Sequence, residues 1–208
     1  MQSGHIHKGI KMFAWSKIDE FDPLFPIAVY RMQFNECDYH NLDHIAAMYQ
    51  YLHDTNEPYD KALDWAILYH DVVYDQLPDK EERSAKYFAE HALRSMSIDF
   101  VSQIEELIMA TKLHIVEKSH WSPIIRADLH ALANLETATK NAEMIKAESM
   151  KLYDVSEQAW AKATVEFMQG LCKRVHDNAE KHDRKHREFY LKVYDGCIET
   201  IKLAKKSC

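Results

Sequence analysis

Glycine and proline are scarce in this 208-residue chain, at 4 and 5 copies. Hairpin-rich β folds and α/β folds with many tight turns need more of both, so the shortage argues for an all-α protein. Cysteine is sparse too. Cys37, Cys172, Cys197 and Cys208 form no C-x-x-C pair, which argues against a disulfide scaffold and for a reduced, cytoplasmic setting. No long apolar run occurs. The longest, 24–30, contains Pro26 and falls far below the roughly 20 residues of a membrane span. The opening residues also lack the apolar core of a signal peptide. There is no excess of basic charge. A formal net charge of −7 argues against an extended nucleic-acid surface. It leaves room for a small anionic ligand, because a metal and a few local cations can dominate a pocket.

What is there reads as helix. The composition is that of a soluble globular protein, 47% hydrophobic and 28% charged, and the length suits one domain with a full core. Residues 1–20 read as an N-terminal tail carrying His5 and His7, and 21–208 as a single helical bundle. Its central part covers about 36–150 and its C-terminal helices about 151–208. Apolar spacing predicts helices over about 23–34, from 41 to a stop at Asn56-Glu57-Pro58, and from a cap at Asp60 to His70. Further helices are predicted over 80–95, 99–114, 136–153, 156–175 and 178–204, with a break at 35–38. Asp79, with Glu82 three residues on, reads as a capping box. Ser122-Pro123 reads as the cap and first-turn proline of a helix carrying Asp128. The last helix shows Tyr190, Val193, Tyr194, Ile198 and Ile201 as one stripe, a face on which a second copy could dock as a homodimer.

The chemistry lies in one ordered series. Tyr39-His40-Asn41-Leu42-Asp43-His44 is followed 26 positions on by His70-Asp71, and then by Asp128. His40 and His44 share a face if the helix already includes His40. His70 and Asp71 point about 100° apart on a helix, so they converge only near a helix end. Three other His-Asp pairs occur. His176-Asp177 and His182-Asp183 sit in a charged stretch and read as solvated, and His53-Asp54 lacks a suitably spaced upstream histidine. Singly, each residue of the series has an ordinary structural reading: a buried histidine is usually a hydrogen-bonded core residue, and Asp128 could pair with Arg126. Together they would bury several charges side by side, which is costly without compensation. One divalent cation satisfies them all.

As an ordered set these residues resemble the HD-domain superfamily of metal-dependent phosphohydrolases, which carries a His, a His-Asp pair and a distant Asp on helices. One group within it has Tyr-His-x-Leu-x-His-Ile, like 39–45 here, and His-Asp-x-Val-Tyr-Asp, like 70–75. It also has Glu-Arg-Ser-Ala (82–85), Ala-Thr-x-x-His (110–114) and Ala-Asp-Leu (127–129). The likeness spans about 36–150. The group's Asp-Ala-Asp-Leu is Arg126-Ala127-Asp128-Leu129 here, and its Gly-Arg is Gly170-Leu171, with Lys173 and Arg174 following. Tyr-His-Asn-x-x-His is also similar to the opening motif of class I cyclic-nucleotide phosphodiesterases. There the second histidine binds metal and the first is the proton donor. Alarmone hydrolases carry a glutamate where this chain has Tyr74, which disfavours their activity.

The resemblance implies that His44, His70, Asp71 and Asp128 hold a divalent ion (Mn, Fe, Co, Ni, Zn or Mg) that activates water against a phosphoester, with a nucleotide as the default substrate. His40 becomes the general acid. Glu82 or Asp75 orients the water or a ligand, and Lys112 and Arg83 face the phosphate. His114 either binds a second ion or caps its helix as a cation. Two other classes stand beside this one. A di-iron oxygenase would recruit extra histidines from His91, His114 and His120, and a helical binding protein would have neither metal nor turnover.

Overall fold

The computed structural model describes residues 15–34 and 37–206. They are helical with no strand among them, as the shortage of glycine and proline predicts. Residues 1–14 of the expected tail, positions 35 and 36 of the expected break, and Cys208 lie outside the described residues.

The centre of the first half is α3 (Lys61–Tyr69). Asp60 starts it, its carboxylate accepting the N–H groups of Ala62 and Leu63. Every residue from Ala62 to Tyr69 is buried, as in a helix surrounded on all sides. Around it stand α1 (Leu24–Phe34), α2 (Leu42–Asp54), α4 (Lys80–Ala92), α5 (Ile98–Leu113) and α6 (Ser122–Leu129). α2 turns Ile45, Met48, Tyr49 and Leu52 inward. Two buried phenols tie neighbours to α3 while keeping their polar ends satisfied: Tyr49 donates to Asp64 O and Tyr69 to Leu24 O.

The expected tail is shorter than 1–20. Trp15 is buried, and its indole N–H donates to Glu57 O at 2.8 Å. Asp64, buried in α3, accepts from Ser16 Oγ at 2.7 Å and Lys17 N at 2.8 Å. A buried carboxylate needs such donors, and here they draw the chain from Trp15 onward into the core.

The second half comprises α7 (Leu135–Tyr153), α8 (Glu157–Asp177) and α9 (Arg187–Lys205). α8 and α9 pack together, and α9 also lies on the 3-10 segment His130–Ala133 that follows α6. Tyr190, Val193 and Ile201 are buried in the chain's own core, with Tyr194 and Ile198 packed against it. The stripe expected to receive a second copy is therefore already covered.

Four local expectations are corrected by long-range bonds. The helix expected over 178–204 is split. α8 runs into a π turn at Asn178–His182, then a 3-10 turn at Arg184–His186, before α9 begins. Asn178 is buried there, accepting from Val116 N and donating to His114 O. Asp183, expected to be solvated, accepts from Ser122 Oγ, from His186 Nδ1 at 2.9 Å and from the Tyr190 hydroxyl. Ser122 thus serves Asp183 rather than capping α6, which continues directly from the 3-10 turn Ser119–Trp121. Asp79 precedes α4 in a left-handed conformation (φ 58°) without a cap bond, and its carboxylate meets Lys112 instead.

Gly196 lets α9 approach closely. A Cβ there would lie 1.9 Å from Leu132 O, whereas one at Gly170 would meet only the Arg174 guanidinium, at 3.0 Å. Gly196→Ala is expected to destabilise by about 1–3 kcal/mol through overpacking. Gly170→Ala should stay within about 1 kcal/mol of wild type, since helix propensity favours alanine. Urea denaturation at constant m checks both.

Candidate metal centre

His44 stands in the first turn of α2. Asn41 caps that helix, its side chain accepting the N–H groups of Asp43 and His44. The helix therefore begins after His40, and the two histidines share no helix face. His70 and Asp71 directly follow α3. Leaving the helix there lets neighbouring side chains converge, with His70 Nε2 3.0 Å from Asp71 Oδ2. Asp128 sits near the end of α6. Its Oδ1 is 3.2 Å from His44 Nε2 and 3.7 Å from His70 Nε2.

One ligand atom from each of His44, His70 and Asp128 lies within 4.8 Å of the others, so these three could hold a metal ion. Asp71 is outside that group but touches His70 from beside it. The donors fit a divalent ion on chemical grounds. His44 and His70 are buried, and their Nε2 atoms make no hydrogen bond despite the nearby carboxylate oxygens. Proximity without hydrogen-bond alignment is what donors aimed at a common point produce. His70 Nδ1 donates to Ile67 O at 2.9 Å, which leaves Nε2 as the ligand nitrogen.

The electrostatics also favour a cation. Burial lowers the His70 pKa, but the carboxylates of Asp71 and Asp128 outweigh it and hold it at about 10. Burial raises Asp71, but His70 outweighs that and holds it at about 2. Burial raises Asp128, but the imidazoles of His114, His44 and His70 close by outweigh it and hold its pKa well below the ordinary value. The C-terminal ends of α3, α5 and α6 meet here, and helix C-termini carry partial negative charge.

His114 turns inward. It ends α5 in the left-handed region (φ 53°, ψ 38°), its carbonyl held by Asn178. Its Nε2 is 2.9 Å from Asp128 Oδ2, so it partners the carboxylate rather than capping its helix as a cation. Among the described residues no second group of three donors forms around it. His91 instead bonds Tyr87 O, and His120 pairs with Glu106. Neither extends the cluster as a di-iron site would need. His53 and Asp54 are exposed, and Arg126 turns away to Glu57 and Tyr51.

The residues expected to orient the water and to face the phosphate are engaged elsewhere. Arg83 donates to both oxygens of Asp75, at 2.8 and 2.6 Å, and that bond lowers Asp75 to about 2. Lys112 is shared by Glu82 and Asp79. Asp75, Glu82 and Arg83 do not line the cavity at the cluster, whereas Lys112 does.

Two residues were missed. Glu148 on α7 is buried and holds His40: its Oε1 is 2.5 Å from His40 Nδ1, and its Oε2 accepts the N–H groups of Tyr39 and His40. Burial raises its pKa, yet His40 and these amides outweigh it and leave it lowered. The available signal was a carboxylate in line with Ala138, Ala142 and Ile145 at helical spacing. Lys80 is the other. Its ammonium stands 3.4 Å from the centre of the Tyr74 ring, which stacks on His40 at 3.9 Å. All three line the cavity, and the Lys80 ammonium also stands 5.1 Å from the centre of the Tyr153 ring.

Comparisons with protein-family models, curated proteins and solved structures gave no match.

Two outcomes are expected. Elemental analysis of metal-loaded protein should find about one divalent ion per chain. At 100 times its Kd such an ion adds about 2.7 kcal/mol of stability, removable by chelator and absent in His70→Ala. Separately, the folded pKa of Glu148 lies below its ordinary 4.5. Its contribution is therefore complete above that pH and is lost as pH falls through the lower folded value. Glu148→Gln should show a flatter loss of stability over that acid range by circular dichroism.

Proposed function

We propose that this chain is a metal-dependent phosphohydrolase of the HD-domain type, cleaving a phosphate ester of a small molecule. The observation that carries this reading is the meeting of buried His44 and His70 with half-buried Asp128 beside a second imidazole–carboxylate pair, His40–Glu148. A divalent ion held by the first group, with Asp71 beside it, supplies a Lewis acid and a nucleophile at neutral pH.

The protein's own residues supply the rest. His40 has Nδ1 committed to Glu148, so its other nitrogen is the one left to protonate the leaving oxygen. Glu148 fixes the orientation of the ring, while Tyr74 braces one face. Lys80 offers a cation for the phosphate. Lys112 reaches the same cavity with its charge already shared by two carboxylates. His114 anchors Asp128 through Oδ2 and leaves Oδ1 toward the two histidines. The family resemblance makes a nucleotide the starting substrate.

The test is a phosphoester panel with several added divalent ions. Wild type is expected to turn over at least one monoester or diester. Asp128→Asn should lose both metal and turnover. His40→Asn should retain metal and lose about 10²–10⁴ in kcat, as removal of a general acid does. No turnover by fully metal-loaded wild type across the panel would refute the reading.

A further inference from the structure

The cavity that begins at the cluster measures about 610 Å³, within the roughly 300–1,000 Å³ of small-molecule sites. Its two parts differ in chemistry. His40, Asp71, Lys80, Lys112, His114 and Asp128 form its polar end. The remainder runs between α7 and α8 and is largely apolar, with Ile145, Trp160, Phe167, Met168 and Leu171 among its walls.

Small side chains leave the space open. Ala138 and Ala142 on α7 are buried at its floor, and Ala159 and Ala163 on α8 stand exposed along its open side. The apolar packing is interrupted here too: Trp160, Ala161 and Ala204 form a cluster separate from the main core.

A nucleoside finds little to recognise it in this part. Base and ribose readers need unspent donors and acceptors on buried walls. Asn141 already serves the Tyr39 hydroxyl, and Thr200 Oγ1 donates to Gly196 O in its own helix. Of the polar groups on the α7 and α8 walls that leaves Ser149, Thr164, the Tyr153 hydroxyl and the Trp160 indole N–H, too few to read both a base and a ribose.

We infer that the substrate is a single-chain amphiphilic phosphate monoester, its phosphate at the His/Asp cluster and its hydrocarbon chain between α7 and α8. This rests on the phosphohydrolase reading above. In the reaction the bond between phosphorus and the alkyl oxygen breaks and a bond from phosphorus to a water oxygen forms. The leaving alkoxide takes a proton from His40, and the products are a long-chain alcohol and inorganic phosphate.

The experiment uses metal-loaded full-length protein and ethyl, butyl, hexyl and decyl phosphate below their micelle concentrations, with a nucleoside monophosphate alongside. An isoprenyl phosphate of ten carbons separates a branched chain from a straight one. KM is expected to fall about three- to fourfold per added methylene over the first steps, the factor that burying each CH₂ supplies. Calorimetry with decylphosphonate, which has no ester to cleave, reads chain binding without turnover, and ethylphosphonate should bind at least tenfold more weakly. Ala163→Phe and, independently, Ala142→Leu should weaken decylphosphonate binding at least tenfold while circular dichroism and Tm stay near wild type. Chain-dependent phosphonate binding without hydrolysis of any ester would sink the enzymatic reading and uphold the amphiphile site. Hydrolysis with no dependence on chain length, or preference for the nucleotide over decyl phosphate, would overturn the inference.

Discussion

The structure depends on how it neutralises a knot of buried charge. His44, His70 and His114 meet Asp71 and Asp128 where α2, α3, α5 and α6 converge. Carboxylates taken from water cost several kcal/mol each unless they are compensated. Here imidazoles face the carboxylates, and Asp71 and Asp128 outweigh burial in raising the His70 pKa. A divalent ion held by His44, His70 and Asp128 would offset the same charge, because their ligand atoms lie within 4.8 Å of one another. Binding it would release a proton, which couples the metal to pH as well as to folding.

Every residue of this cluster sits at a helix end. His44 lies in the first turn of α2, His70 and Asp71 follow α3, and Asp128 is in the last turn of α6. His114 ends α5 in a left-handed conformation that costs a non-glycine residue energy. Helix ends are where successive side chains escape the 100° rotation, so a short sequence motif can present two donors to one point. Rigid rods position the donors while the turns orient them. The surrounding bonds serve that placement: Ser84 Oγ receives Val73 N behind His70-Asp71, and Asn178 clasps the backbone on both sides of the His114 turn.

The second half of the chain completes the site from outside. α7 contributes Glu148, which converts His40 from a loop histidine into an oriented imidazole. α7 and α8 together wall the apolar part of the cavity. α9 is held against the segment after α6 by the bare Cα of Gly196, which in turn fixes where α8 lies. A ligand would therefore bridge the two halves, with its charge on the first and its bulk on the second.

Helical periodicity, the cap at Asp60 and the ordered His, His-Asp and Asp series are local patterns, and they were legible because a helix is built from bonds four residues apart. The all-α class and the three residues that converge, His44, His70 and Asp128, could be read from the chain alone. What could not be read are the side-chain pairings between separate elements. Lys112 is spent on Asp79 and Glu82, Arg83 on Asp75, and Glu148 reaches back more than a hundred residues to His40. Side-chain bonds from distant elements also overruled the local readings at Asp79, Ser122 and Asn178. The sequence by itself determined which residues are able to bind a cation. Tertiary structure alone decided which charges remain free at the cavity and how that cavity is shaped, because a charge is available only when no distant partner has already neutralised it.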